Sequence, residues 1–228
     1  MQNFSFFEQT LEGCKARYEK ILERLYPSKK NTGFSEENLL VNFSKSYDSV
    51  LKKNSQQEST SWFEFQLTNR IGKQRNDNHL DCLVIDDANK RILFIEGKRF
   101  KSESKISEIG KDAYRIINVF DDRKEEFYKR IVDYDDYKFY GVLLSDVWLR
   151  GNDNFYTRIF KSYEESSFFS NDSSFKEKLF VNKKIQIPQD KVISRMENGG
   201  LKYFTRHVNV KQSNKEKLYL LLAVFELK

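Results

Sequence analysis

Two short apolar runs rich in β-branched residues, Leu80 to Ile85 and Ile92 to Ile95, flank the turn-forming Asp86-Asp87-Ala88-Asn89. Such a pattern predicts a β-hairpin. The hairpin constrains more than local shape, because side chains two apart in a strand share a face. Glu96 and Lys98 therefore point one way, and Ile95 and Gly97 the other. With the turn centred between Ala88 and Asn89, antiparallel pairing sets Arg91 opposite Asp86 and Asp81 opposite Glu96. Two carboxylates and an ammonium then share one small patch. Opposed like charges destabilise a sheet unless a cation lies between them, and a carboxylate pair with room for water is what a hard divalent ion accepts. Asp81 and Glu96 are accordingly the expected ligands of Mg²⁺ or Mn²⁺. The plain alternative is a sheet edge with solvated charges, so the surrounding elements matter.

An Asp at the start of one strand and Glu-x-Lys at the end of the next resembles the PD-(D/E)xK, or restriction-endonuclease-like, nuclease superfamily. Asp81, Glu96 and Lys98 fill its three motif positions, with Leu80 where the name-giving motif has Pro. Many members open their core with a helix that carries an acidic residue near the site. Ser35-Glu36-Glu37-Asn38-Leu39 looks like such an opening, which makes Glu36 a fourth candidate catalytic residue; first-turn acids also simply complement a helix dipole. Several members carry Gln-x-x-x-Tyr on the helix after the motif. Here Tyr114 is present but Gly110 replaces the Gln, so that pair is not carried over.

Element order agrees with the resemblance. Phe4, Phe7, Leu11, Cys14, Tyr18, Ile21 and Leu25 form a helical stripe that ends at Pro27. The stripe suits a helix packed on its own domain, and it would also suit the seam of a homodimer. Ser35 is a plausible N-cap for a second helix with Leu40, Phe43, Tyr47 and Val50/Leu51 on its buried face. The polar stretch 52–60 reads as a loop. Ser61 to Leu67 alternates as a strand, with Phe63, Phe65 and Leu67 on one face and Trp62, Glu64 and Gln66 on the other. Glu64 and Gln66 are thereby candidates to support the site from the same sheet. Arg70, Lys73 and Arg75 before the hairpin, and Arg99 and Lys101 after it, are candidate contacts to a phosphate backbone.

A helical stripe of Ile106, Ile109, Ala113, Ile116/Ile117 and Phe120 follows, with Lys105, Lys111 and Arg115 on or near it. A short helix over 124–132 then leads into an apolar strand over 138–145. The expected fold is thus α/β: a restriction-endonuclease-like αβββαβ core over 35–146, with a central mixed sheet flanked by helices. An N-terminal helix (1–27) and a β-rich extension (150–228) complete a single nuclease-like domain. In the extension, 183–187 reads as a strand, 190–198 as a short helix, and 202–210 with 217–227 as a terminal hairpin that extends the sheet.

Charge is uneven. Residues 1–150 hold 26 Lys and Arg against 25 Asp and Glu, whereas 151–228 hold 14 against 9. The basic tail suits a polyanionic partner such as nucleic acid, with DNA favoured. Two isolated cysteines and two histidines supply neither a zinc cluster nor a disulfide framework, which points to a reducing compartment. The absence of a leader pattern or a long apolar run adds the expectation of a cytoplasmic protein with no membrane partner. No Walker-type glycine loop is visible, so ATP use is not expected. The function these readings converge on is Mg²⁺-dependent phosphodiester hydrolysis, as in a DNA endonuclease of restriction type. A catalytically inactive nucleic-acid-binding or assembly protein that keeps the fold is the alternative.

Overall fold

The computed structural model describes residues 4–24, 35–66, 79–99, 133–150, 203–212 and 216–227. Between them it describes residues 112, 113, 115–117, 120, 121, 124, 125, 127–129 and 131. Helix α1 (Ser5–Arg24) buries Phe7, Leu11, Cys14 and Tyr18, as the stripe predicts. Phe6 and Leu22 are buried as well, while Phe4 and Ile21 are only half-buried. Leu25 and Pro27 lie outside the described residues. The partner of α1 is α2 (Glu36–Ser55). At their crossing a Cβ on Gly13 would come within 3.3 Å of the Ser46 Cβ, so glycine there lets the two backbones close up. The stripe is covered by the protein's own elements.

Ser35 caps α2: its hydroxyl accepts a hydrogen bond from the Asn38 N–H at 3.2 Å. Leu40, Phe43, Tyr47, Val50 and Leu51 are all buried. The helix runs to Ser55 and ends at Gln56, whose backbone is left-handed (φ 58°). The predicted loop over 52–60 is therefore one helical turn shorter than expected. Exposed polar residues suit a solvated last turn, and Lys52 and Lys53 complement its carbonyl dipole.

Among the described residues six strands form one mixed sheet: β1 (Thr60–Gln66), β2 (His79–Asp86), β3 (Arg91–Arg99), β4 (Lys138–Arg150), β5 (Tyr203–Gln212) and β6 (Glu216–Glu226), in the order β1-β2-β3-β4-β6-β5. The β2–β3 hairpin has the predicted register, with Asp86 opposite Arg91 and Cys82 opposite Ile95. Its turn is tied to α2. Buried Asp86 accepts hydrogen bonds from the Tyr47 hydroxyl at 2.7 Å and from the Asn89 N–H at 3.0 Å.

Strand β4 lies parallel to β3, and every other neighbour in the sheet is antiparallel. A parallel neighbour needs a crossover, and the described positions over 112–121 and 124–129 are helical. Beyond β4 the terminal hairpin joins as β6 and β5, so the C-terminal strands extend the sheet as predicted. The strand expected at 138–145 continues to Arg150 because β6 pairs along its whole length, to Arg150 opposite Glu216. The strand and helix expected over 183–198 lie outside the described residues.

Each sheet face has its own core. Against α1 and α2 lie Cys82, Val84, Leu93, Ile95, Tyr140, Val142 and Leu144. Against the crossover lie Leu83, Ile92, Phe94, Phe139 and Leu143, packed on Ala113, Ile116, Ile117 and Phe120. Phe94 touches the rings of Phe120, Phe127 and Phe139. Full burial of each such side chain stabilises by about 1.5–3 kcal/mol, which fixes the strand register in turn.

The alternation predicted for β1 fails. Glu64 has a left-handed backbone (φ 51°) and falls between the pairs Phe63–Cys82 and Phe65–Leu80. In consequence the Trp62 and Phe65 rings meet edge to face at 5.3 Å, and Trp62 and Phe63 are 61% and 38% exposed. Among the described residues β1, the first strand of the sheet, has a neighbour on one side only, and its faces are weakly enforced. Among the described residues no helix is long and apolar enough to cross a membrane.

Candidate active site

Strand β3 carries apolar side chains to both faces until its last turn of pleat, where the pattern becomes Glu96-Gly97-Lys98-Arg99. Glu96 and Lys98 face the crossover helix. Gly97 faces α2, where an added Cβ would lie 3.1 Å from Leu40 Cδ2. The paired stretch of β2 and β3 ends at Cys82–Ile95, so the predicted Asp81–Glu96 pair is not part of the ladder. The structure nevertheless brings Asp81 close to Glu96 and Lys98 at the end of β3, where its charge acts on both.

Glu36 joins them from the start of α2: its Oε1 accepts the Arg99 N–H at 3.1 Å. Asp81 makes a matching bond, its Oδ2 accepting the Gly97 N–H at 2.8 Å. The two acids therefore hold the backbone on either side of Lys98.

Two further residues complete the cluster. Asp112 Oδ2 lies 3.5 Å from the Lys98 ammonium, and its Oδ1 lies 3.3 Å from Arg115 Nη2. The same Arg115 nitrogen contacts Glu96 Oε1. Glu96 is fully buried, and its Oε2 has no hydrogen-bond partner among the described residues. Sequence reading placed Arg115 near the helical stripe without a role and passed over Asp112. The available signal was that both lie beside the predicted stripe residue Ala113 at an i, i+3 spacing suited to an ion pair.

Electrostatics follow from this packing. Burial and then the Asp81 charge push the Glu96 carboxyl up to about 9, against the opposing pull of Arg115. Burial likewise raises Asp112 against the pull of Lys98 and Arg115. For Lys98, burial acts downward, but the charges of Asp112, Asp81, Glu36 and Glu96 together carry the ammonium above its ordinary value. Lys98 is therefore a lasting cation rather than a proton acceptor near neutral pH.

Other expected site residues are placed elsewhere. Arg99, expected to touch phosphate, is turned inward: its Nε lies 3.3 Å from Asp146 Oδ1, and both side chains are buried. Strand alternation explains the correction, since Arg99 shares its face with Ile95 and Gly97 and points toward the α1/α2 side. Trp148 Nε1 donates to the other Asp146 oxygen at 3.3 Å. Burial, partly offset by Arg99 and Trp148, raises Asp146 to about 6. Glu64 is exposed on β1 and makes no hydrogen bond or ion pair among the described residues, so the support role expected of it is not seen. The side chain of Gln66, and Arg70, Lys73, Arg75 and Lys101 entirely, lie outside the described residues.

Among the described residues no three His, Cys, Asp or Glu side chains are grouped as a ready metal-binding set. A Mg²⁺ site needs less than that, since the ion keeps several waters and often takes only one or two carboxylates along with substrate phosphate. Asp81 and the unpartnered oxygen of buried Glu96 fit that requirement. No protein-family model, no curated protein and no solved structure matches the chain.

Proposed function

We propose that this protein is a divalent-cation-dependent nuclease with a restriction-endonuclease-like core, and that DNA is its first substrate to test. The observation that carries the reading is the convergence of Asp81, Glu96 and Lys98 at the end of β3, with Glu36 brought there from a distant helix. The order α2, β1, β2, β3, crossover helix, β4 supports the fold reading. The two buried, unpaired cysteines support action in a reducing compartment such as the cytoplasm.

Asp81 and Glu96 would hold the cation, which when bound supplies charge to polarise a phosphodiester and acidify a water. Lys98 stays protonated in its ring of acids, so its part is to orient the attacking water or offset charge on the phosphorane-like transition state. Asp112 fixes the position of the ammonium. Burial of the cluster lowers the local dielectric, which strengthens each of these interactions.

A second reading is favoured by one observation: the Glu96 carboxylate is already engaged by Arg115. A protein that keeps the fold but binds nucleic acid without cutting it would tolerate that pairing. Incubation with supercoiled plasmid, with and without Mg²⁺ or Mn²⁺, separates the two. The nuclease reading requires nicked or linear product from the wild type only with the cation, and none from Asp81→Asn. Binding without cleavage of duplex DNA, single-stranded DNA or RNA would leave the second reading in place.

A further inference from the structure

The carboxylate pair already has a cation of its own. Arg115 Nη2 touches Glu96 Oε1 and lies 3.3 Å from Asp112 Oδ1, while Lys98 is held on the far oxygen of Asp112 at 3.5 Å. Glu96 is fully buried, so with its charge present the internal guanidinium compensates for lost water. The Arg115 side chain itself is 30% exposed, which leaves its head group an outlet toward solvent. Gly97 and Asp81 hold the backbone through a separate bond that does not involve Arg115.

We infer that Arg115 is a lock on the site, a tethered cation that occupies the charge position beside Glu96 and must withdraw before a divalent cation can use that carboxylate. This rests on the proposed reading of Asp81 and Glu96 as cation ligands and adds a control to it. Two positive groups cannot both sit against one buried carboxylate without strong repulsion, so binding of one weakens the other. Withdrawal leaves Arg115 on Asp112 at the mouth of the cluster, where a phosphate of the substrate is the natural next partner for a guanidinium. The arrangement links cation entry to the arrival of a polyanion. Arg115 acts through the cation affinity of its neighbours, which makes it a positioning residue.

Direct binding of Mn²⁺ tests this without any cleavage assay. The free ion is measured by electron paramagnetic resonance during titration of the intact wild type, Arg115→Gln and Arg115→Lys, with no nucleic acid present. Removing a like charge a few ångström from a binding group changes its charge equilibrium by about ten- to a thousandfold, so Arg115→Gln should bind Mn²⁺ at least about tenfold more tightly than wild type. Arg115→Lys keeps the charge but carries it on a compact, more strongly hydrated ammonium, and should fall between them. Equal or weaker binding by Arg115→Gln, with measurable binding by wild type, overturns the lock while leaving the cation site standing. Absence of Mn²⁺ binding in all three folded proteins overturns both the lock and the cation reading. Should Arg115→Gln lose its far-UV circular dichroism, Arg115→Lys decides: affinity no greater than wild type rejects the lock.

Discussion

Replacing Glu96 by Gln tests the electrostatics of the cluster independently of any activity. Glu96 is fully buried, and burial together with the Asp81 charge lifts its carboxyl from 4.5 to about 9. In the unfolded chain the group returns to an ordinary acid. Between these two values the folded protein holds a proton that the unfolded chain has released. The unfolded state then binds fewer protons, so stability falls as pH rises through that window. A single group contributes at most about 1.4 kcal/mol per pH unit, or about 2.7 kcal/mol from pH 6 to pH 8. The pull of Arg115 is already contained in the carboxyl's value of about 9; local relaxation and water entry at the buried site reduce the effect to about 1–2 kcal/mol. Glu96→Gln keeps the shape and removes the titration, while the remaining ionisable groups are common to both proteins. Urea unfolding of each in metal-free buffer at pH 6, 7 and 8 therefore isolates the titration of Glu96. Wild type should lose about 1–2 kcal/mol relative to the variant across that range. Parallel stabilities would refute the reasoning, and are what a carboxylate held as an anion by Arg115 gives in this range, since it is ionised in both states above pH 6; a wild type that gains on the variant at high pH would refute it as well.

Lys98→Met should leave fold and nucleic-acid binding intact while single-turnover cleavage falls by about 10²–10³-fold, the loss typical of removing one preorganised charge-stabilising donor. A folded variant that cuts at the wild-type rate removes Lys98 from the catalytic residues. Gly141→Ala should destabilise by about 3 kcal/mol in urea, because the Phe225 ring packs where the new Cβ would stand and overpacking of a core costs about 1–3 kcal/mol. A loss below about 0.5 kcal/mol, within the range of an unremarkable surface change, would show that Phe225 turns aside freely.

What was legible in the sequence shares a single cause. The hairpin register, from Asp86–Arg91 to Cys82–Ile95, and the buried faces of both helices are encoded by local periods and by turn and cap residues. Arg99 was legible too, had the period of two been applied through it: a residue next to Lys98 in a strand faces away from it. Glu64 was not, because its left-handed backbone overrides the alternation of β1. Nor were the contacts of Asp112 with Lys98 and of Arg115 with Glu96, since they span a crossover whose path no local repeat encodes. The inward face of Glu36 follows from its place four residues before Leu40, but its link to the site came through the resemblance, as nothing in α2 itself indicates which distant strand its first turn meets.

The end of β3 explains why the same acids can serve structure and chemistry at once. Beyond Cys82–Ile95 the ladder between β2 and β3 thins out, and the N–H groups of Gly97 and Arg99 are met by the side chains of Asp81 and Glu36. A buried N–H left without an acceptor costs about 1–3 kcal/mol, so these acids hold the strand end whether or not a cation is present. On the opposite face Arg99 is clamped to Asp146, and on the near face Lys98 is clamped to Asp112. Lys98 is thus fixed by backbone bonds on both sides and by its own ion pair, which is the preorganisation that charge stabilisation requires. It follows that an alanine at Asp81 or Glu36 confounds two losses, a missing charge and a freed strand. Asp81→Asn and Glu36→Gln separate them, because an amide oxygen still accepts the N–H while the charge is gone.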